Sequence, residues 1–199
     1  YVVMEYVPGT TLKKFCRPDS LLSLEQVVEI GFKCAMALGY VSRQGLIHRD
    51  VKPANVLALM DRDTVVDVKI TDFGSVMQLD AERTAVHRVG SLAYISPEQL
   101  DGGMIDARAD MYSLAAVLYH LIAGRPPFEG PTQAALMHQV FNELPRPLSA
   151  LRDGVPASRR WPPSTRRASR AAASTAGRPS SRCSSPARAS PPVRPAPRS

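Results

Sequence analysis

Apolar residues recur at spacings of three and four through "SLEQVVEIGFKCAMALGYVSRQG", where Val27, Ile30, Cys34, Leu38 and Val41 share one face of a helix. Ser23 and Gln26 match a capping box at its start, and Gly45 sits where a helix C-cap belongs. Beyond it the pattern shortens. The runs "VLAL" and "VVDVKI", separated by "MDRDT", read as a hairpin whose second strand ends at "TDFG". Upstream, "VVMEYV" reads as a strand and "PGTT" as a turn whose Thr residues cap a short helix from Leu12 to Phe15. From Ser75 to Tyr94 the pattern is weak and mixed, as in a long surface loop. Asp110 to Gly124 is apolar almost all round, which predicts a buried helix. Another helix is expected over Gln133 to Leu144, its stripe on Leu136, Val140 and Leu144 with Met137 and Phe141 beside it. Strands come first and helices dominate later, an α+β arrangement.

Periodicity stops near Val155. Residues 154 to 199 hold ten Arg and no Lys, Asp or Glu, so of the net charge of +7 the rest of the chain carries about −3. The basic character belongs to the tail, in which Trp161 is the only aromatic residue. Such a stretch buries too little surface to offset chain entropy, so disorder is expected over 158–199. Its Arg, Pro, Ala, Ser and Gly are the residues of GC-rich codons. It reads as an out-of-frame translation, with a true basic linker as the alternative. Three Cys, at positions 16, 34 and 183, fit neither a disulfide framework nor a metal site, so free thiols in a reducing cytoplasm are expected. The longest apolar run, "MYSLAAVLYHLIAG", is too short to cross a bilayer. Because "YVVMEY" already reads as an established strand at residue 1, the chain is expected to begin inside a domain.

One polar cluster stands out between apolar anchors. In "LIHRDVKPANVLAL", a His, an Arg, an Asp, a Lys and an Asn fall within ten residues, with core-like runs on both sides. A polar loop fixed by packing at both ends is a candidate active site. "HRDVKPAN", followed in order by "DFG" and "SPE", resembles the large-lobe signature of eukaryotic-type (Hanks-type) protein kinases.

That resemblance implies a kinase-like fold: a mostly helical large lobe with short β hairpins over residues 1–157, truncated at both ends and followed by the tail. It implies transfer of the ATP γ-phosphate to protein Ser or Thr hydroxyls, a reaction of positioning and charge neutralisation. Asp50 would orient or deprotonate the substrate hydroxyl, and Lys52 would neutralise the travelling phosphoryl group. Asn55 and Asp72 would hold Mg²⁺, which takes hard oxygen ligands. "MEYVPGTTL" is similar to the hinge: Met4 would line the back of the adenine pocket, the backbone of Glu5 and Val7 would pair with adenine, and Leu57 would form the floor. His48 and Asp110 would brace the loop.

Lys52 within "DVKPAN" and "GSLAYISPEQ", with Ser91 contacting the catalytic pair, resemble the serine/threonine branch and its bacterial members. Arg49 would meet a phosphate on Thr84, the expected autophosphorylation site, where about −1.5 to −2 of charge would order the loop. No glycine-rich "GxGxxG" loop, strand Lys or paired helix Glu is found; the resemblance places them before Tyr1. Further helices, one with an Arg for Glu98, are also not found after "LRDGVPAS". This chain alone is therefore expected to be inactive or weakly active. A non-catalytic kinase-like binding module is the alternative, which the joint presence of Asp50, Lys52, Asn55 and Asp72 disfavours. Nucleic-acid binding through the ten tail Arg is not expected, because stacking aromatics are nearly missing. The expected location is cytoplasmic.

Overall fold

The predicted long helix, α1 (Leu24–Arg43), is closed at both ends by local chemistry. In the computed structural model, which describes residues 5–73 and 92–157, Gln26 N–H donates to Ser23 Oγ at 3.2 Å and Ser23 N–H donates back to Gln26 Oε1 at 3.3 Å. At the other end Gly45, with φ 74°, ends the helix. Its N–H donates to the Ser42 carbonyl and Leu46 N–H to the Val41 carbonyl, the paired bonds of a Schellman motif. Val27, Ile30, Cys34 and Leu38 are buried as the spacing predicts. The outward face is less polar than an amphipathic helix requires: Val28, Phe32, Met36 and Tyr40 are all more than half exposed.

Three antiparallel strands lie beside α1 in the order β1 (Thr10–Thr11), β2 (Val56–Asp61) and β3 (Thr64–Ile70). The hairpin is longer than its apolar runs suggest, because Met60, Asp61 and Thr64 also pair, after a register shift at Leu59/Met60. Only Arg62 and Asp63 are left to turn, Arg62 with φ 52°. Gly9 must be glycine: a Cβ there would lie 2.8 Å from the Ala58 carbonyl oxygen.

Three helices follow: α2 (Pro97–Leu100), α3 (Ala107–Ala123) and α4 (Gln133–Asn142). The central helix α3 packs on α1. Leu12, Ile30, Cys34, Val51, Val56, Leu114, Val117 and Leu121 form the main core between helices and sheet. A second cluster gathers Leu92, Ile95, Phe128, Leu136 and Val140.

Several expectations change. Residues 5–7 are not strand; the edge position on β2 is taken by Thr10–Thr11 instead. Thr11 precedes the 3-10 helix Leu12–Phe15, but its hydroxyl makes no cap bond. Helix α3 starts three residues early, because the Asp106 carboxylate caps it by accepting from Arg108 N–H at 2.7 Å. Helix α4 ends at Asn142 and Leu144 is 77% exposed. Pro145 disfavours helical backbone at the residue before it, so Leu144 cannot extend the stripe. Leu92 and Ala93, expected on a surface loop, are core residues. Residues 74–91 and the tail 158–199 lie outside the described residues. Among the described residues no helix is long and apolar enough to cross a membrane.

Candidate active site

The Schellman turn delivers the chain from α1 directly into His48, and the loop it enters is fixed from three sides. His48 is fully buried. Its Nε2 lies 2.8 Å from the Thr71 carbonyl, and Asp50 N–H donates to its Nδ1 at 3.3 Å. A carbonyl accepts only, so Nε2 carries the proton and the ring is held as one neutral tautomer. From the first turn of α3, buried Asp110 accepts His48 N–H at its Oδ2 and Arg49 N–H at its Oδ1, each at 2.8 Å. Asp110 therefore braces the loop as the resemblance implies. The Arg49 backbone is left-handed, with φ 69°. Such backbone costs about 1–3 kcal/mol in a non-glycine residue and persists where its surroundings over-determine it.

The loop's polar side chains converge. Lys52 Nζ donates to Asp50 Oδ2 at 2.7 Å, and Asn55 Nδ2 donates to the same oxygen at 2.9 Å and to the Asp50 carbonyl at 2.9 Å. Asn55 is buried at the end of the 3-10 turn Pro53–Asn55, which hands over to β2. Its backbone carbonyl accepts from Thr71 N–H at 2.9 Å. This ties the loop to the end of β3, where Asp72 is exposed with φ 61° and Thr71 Oγ1 donates to its Oδ2 at 3.4 Å. Phe73 meets the His48 ring edge-on, centroids 4.6 Å apart.

Because the Asn55 amide N–H group is spent on Asp50, its carbonyl oxygen is the atom left for a cation. With the Asp72 carboxylate it would offer a cation two hard oxygen donors. Such a set suits Mg²⁺, which keeps waters and phosphate oxygens for its other positions. On the sheet, Leu57 is half-buried and lies between Thr11 and Lys69 in register. Lys69 Nζ reaches back to Glu5 at 2.6 and 2.8 Å, which brings Glu5 and Leu57 to the same part of the sheet. The Val7 carbonyl accepts from Gly9 N–H at 2.9 Å. Met4, Thr84 and Ser91 lie outside the described residues. A cavity of about 720 Å³ opens among Tyr6, Gly9, Phe15, Leu22, Gln26 and Met60, and no residue of the His48–Asn55 loop lines it.

Two groups escaped the sequence reading. Gln99 Nε2 donates to the Arg49 carbonyl at 2.8 Å. Tyr94 and His120 are joined by a 2.6 Å hydrogen bond between the phenol and Nδ1. Burial pushes the Tyr94 phenol up and His120 down from their ordinary values. Only the neighbouring "SPEQ" motif hinted that this stretch meets the loop. Of the cysteines, Cys16 and Cys34 are free and buried, their thiols pushed up by burial to about 12 and about 11.

The sequence pattern that defines the protein kinase domain matches residues 1–184. The chain belongs to the protein kinase family. It is 38% identical over 159 residues to the serine/threonine-protein kinase PknB of Mycobacterium leprae, covering 78% of this chain and 25% of that one. It is 38% identical over 160 residues to a probable serine/threonine-protein kinase PknB of Bifidobacterium longum, covering 78% and 23%. The chain thus spans about a quarter of the length of these relatives. Among solved structures it is similar to a double mutant of the Mycobacterium tuberculosis PknI kinase domain, with TM-score 0.54 and 32% identity over 76% of this chain and 51% of that one. It is also similar to Rad53 in complex with AMP-PNP, with TM-score 0.53 and 32% identity over 68% and 33%. Within the family, the chain is of the Hanks type, with bacterial serine/threonine kinases as relatives.

Proposed function

We propose that this chain carries the phosphoryl-transfer half of a bacterial serine/threonine protein kinase, with ATP as donor and Ser or Thr hydroxyls of proteins as acceptors. The observation that carries the reading is the convergence of Lys52 and Asn55 on one oxygen of Asp50. With Oδ2 engaged twice, the second carboxylate oxygen is the one to receive the substrate hydroxyl's hydrogen bond. Lys52, beside it, supplies positive charge where the transferring phosphoryl group gathers negative charge. General-base catalysis of this kind contributes about 10²- to 10⁴-fold.

Asn55 and Asp72 would hold Mg²⁺, which when bound neutralises phosphate charge. Met4, the backbone of Glu5 and Val7, and Leu57 would hold the adenine. Residues 1–157 make up the partial kinase domain and 158–199 a basic tail; Thr84 is the proposed autophosphorylation site, and the location is cytoplasmic. No counterpart of the glycine-rich phosphate loop or its Lys is found in the sequence, and losing one preorganised charge stabiliser costs about 10²- to 10³-fold. Transfer by these 199 residues alone is therefore expected to be weak or absent.

The test is γ-phosphate transfer from ATP to Ser, Thr and Tyr peptides by this chain, its Asp50→Asn variant and a version extended upstream. Transfer to Ser or Thr in the extended version, lost with Asp50→Asn, supports the reading. A folded extended version that binds ATP without transfer favours the binding-module alternative.

A further inference from the structure

We propose that Gln99 is a positioning residue of the catalytic loop, holding the peptide between Arg49 and Asp50 in its working orientation. The proposal rests on the kinase reading for its function and on geometry for its mechanics. Ser96 and Gln99 repeat the spacing of Ser23 and Gln26 at the head of α1. There the outward amide of Gln26 donates to the Asp63 carbonyl on an exposed turn. In α2 the same motif is buried, and its spare donor is aimed at the active loop.

The amide's orientation follows from its partners. Gln99 Oε1 accepts from Ser96 N–H at 3.2 Å and from the Ser96 hydroxyl at 3.0 Å, so Nε2 is the end that faces the Arg49 carbonyl at 2.8 Å. Arg49 is the left-handed residue of the loop, and both its backbone polar groups are taken by side chains of other helices. Asp110 of α3 takes the N–H and Gln99 of α2 takes the carbonyl. That carbonyl and the Asp50 N–H belong to one rigid peptide unit. Its other end is held by the longer 3.3 Å bond to His48 Nδ1. Removing Gln99 leaves this peptide with one weak tether, directly before the residue whose carboxylate meets the substrate.

The experiment compares Gln99→Met, which keeps volume without adding charge, and Gln99→Glu, which keeps the acceptor for Ser96 but has no N–H for Arg49. Gln26→Glu serves as the control. Residue-resolved amide exchange by NMR on the full chain is expected to speed up about tenfold at Arg49 and Asp50 in both Gln99 variants, the size of one lost hydrogen bond, with α1 and α3 unchanged. In the upstream-extended version kcat is expected to fall about tenfold at unchanged KM for ATP. Unchanged exchange at Arg49 and Asp50 overturns the proposal. So does acceleration spread evenly over α1 and α3, or loss of fold in both variants, since either makes Gln99 core support. Transfer that survives Asp50→Asn would defeat the kinase reading without touching the exchange result.

Discussion

The loop from His48 to Asn55 is held by hydrogen bonds from three other parts of the fold, whereas the link from Glu5 to the sheet is an exposed ion pair. Asp110 reaches the loop from α3, Gln99 from α2 and Thr71 from the end of β3. The Glu5–Lys69 pair, by contrast, joins a Glu that is 71% exposed to a Lys that is 39% exposed. Charges in water attract weakly, and holding two long side chains together costs entropy. The difference teaches that the His48–Asn55 loop is fixed by buried and part-buried hydrogen bonds, while Glu5 is held by a weaker, solvent-screened contact.

The sharpest break in that comparison is Asp50→Asn. It should reduce transfer by about 10²- to 10⁴-fold in the upstream-extended version with little change in unfolding midpoint, measured by peptide phosphorylation beside thermal melts. Next comes Asp110→Ala, which strands the buried His48 N–H and the part-buried Arg49 N–H that now share one carboxylate. Each charge-assisted bond is worth about 1.5–3 kcal/mol, so a loss of about 3 kcal/mol or more is expected in urea unfolding.

A smaller effect follows acid. Burial lowers His120 from its ordinary 6.5, so the unfolded chain takes up that proton first. Stability from this residue is thus constant at high pH, falls as pH drops through about 6.5, and levels off below the folded-state value. Protonated Nδ1 also cannot accept the Tyr94 hydroxyl. Urea midpoints from pH 8 to 5 should show this loss in the parent chain, and His120→Gln should flatten it. Smallest of all is Lys69→Ala, expected to cost less than about 1 kcal/mol and to matter less still at high salt. A larger cost would erase the contrast between the two regions.

The parts of this fold legible in the sequence are those decided by neighbours along the chain. The caps and stripe of α1, the two runs of the hairpin and the polar loop between them depend on residues within a turn or two of each other. Asp50, Lys52 and Asn55 were legible as a cluster because six residues contain them all. The strand expected in "VVMEYV" failed over residues 5–7 because a strand needs a partner, and β2 pairs with Thr10–Thr11. Leu144 misled because the apolar periodicity continued past Asn142, where the helix ends ahead of Pro145. Gln99 and the Tyr94–His120 pair were invisible because their partners are tens of residues away, and no pattern along the chain records which carbonyl a buried amide will meet.

The most direct measurement is a chimera in which residues 5–157 replace the matching stretch of the Mycobacterium leprae PknB relative. Ser or Thr phosphorylation of a protein substrate by this chimera is expected, reduced about 10²- to 10⁴-fold by Asp50→Asn and about tenfold by Gln99→Met. A chimera that melts cooperatively and binds ATP, yet transfers no phosphate, would contradict the claim that this loop is a working catalytic half.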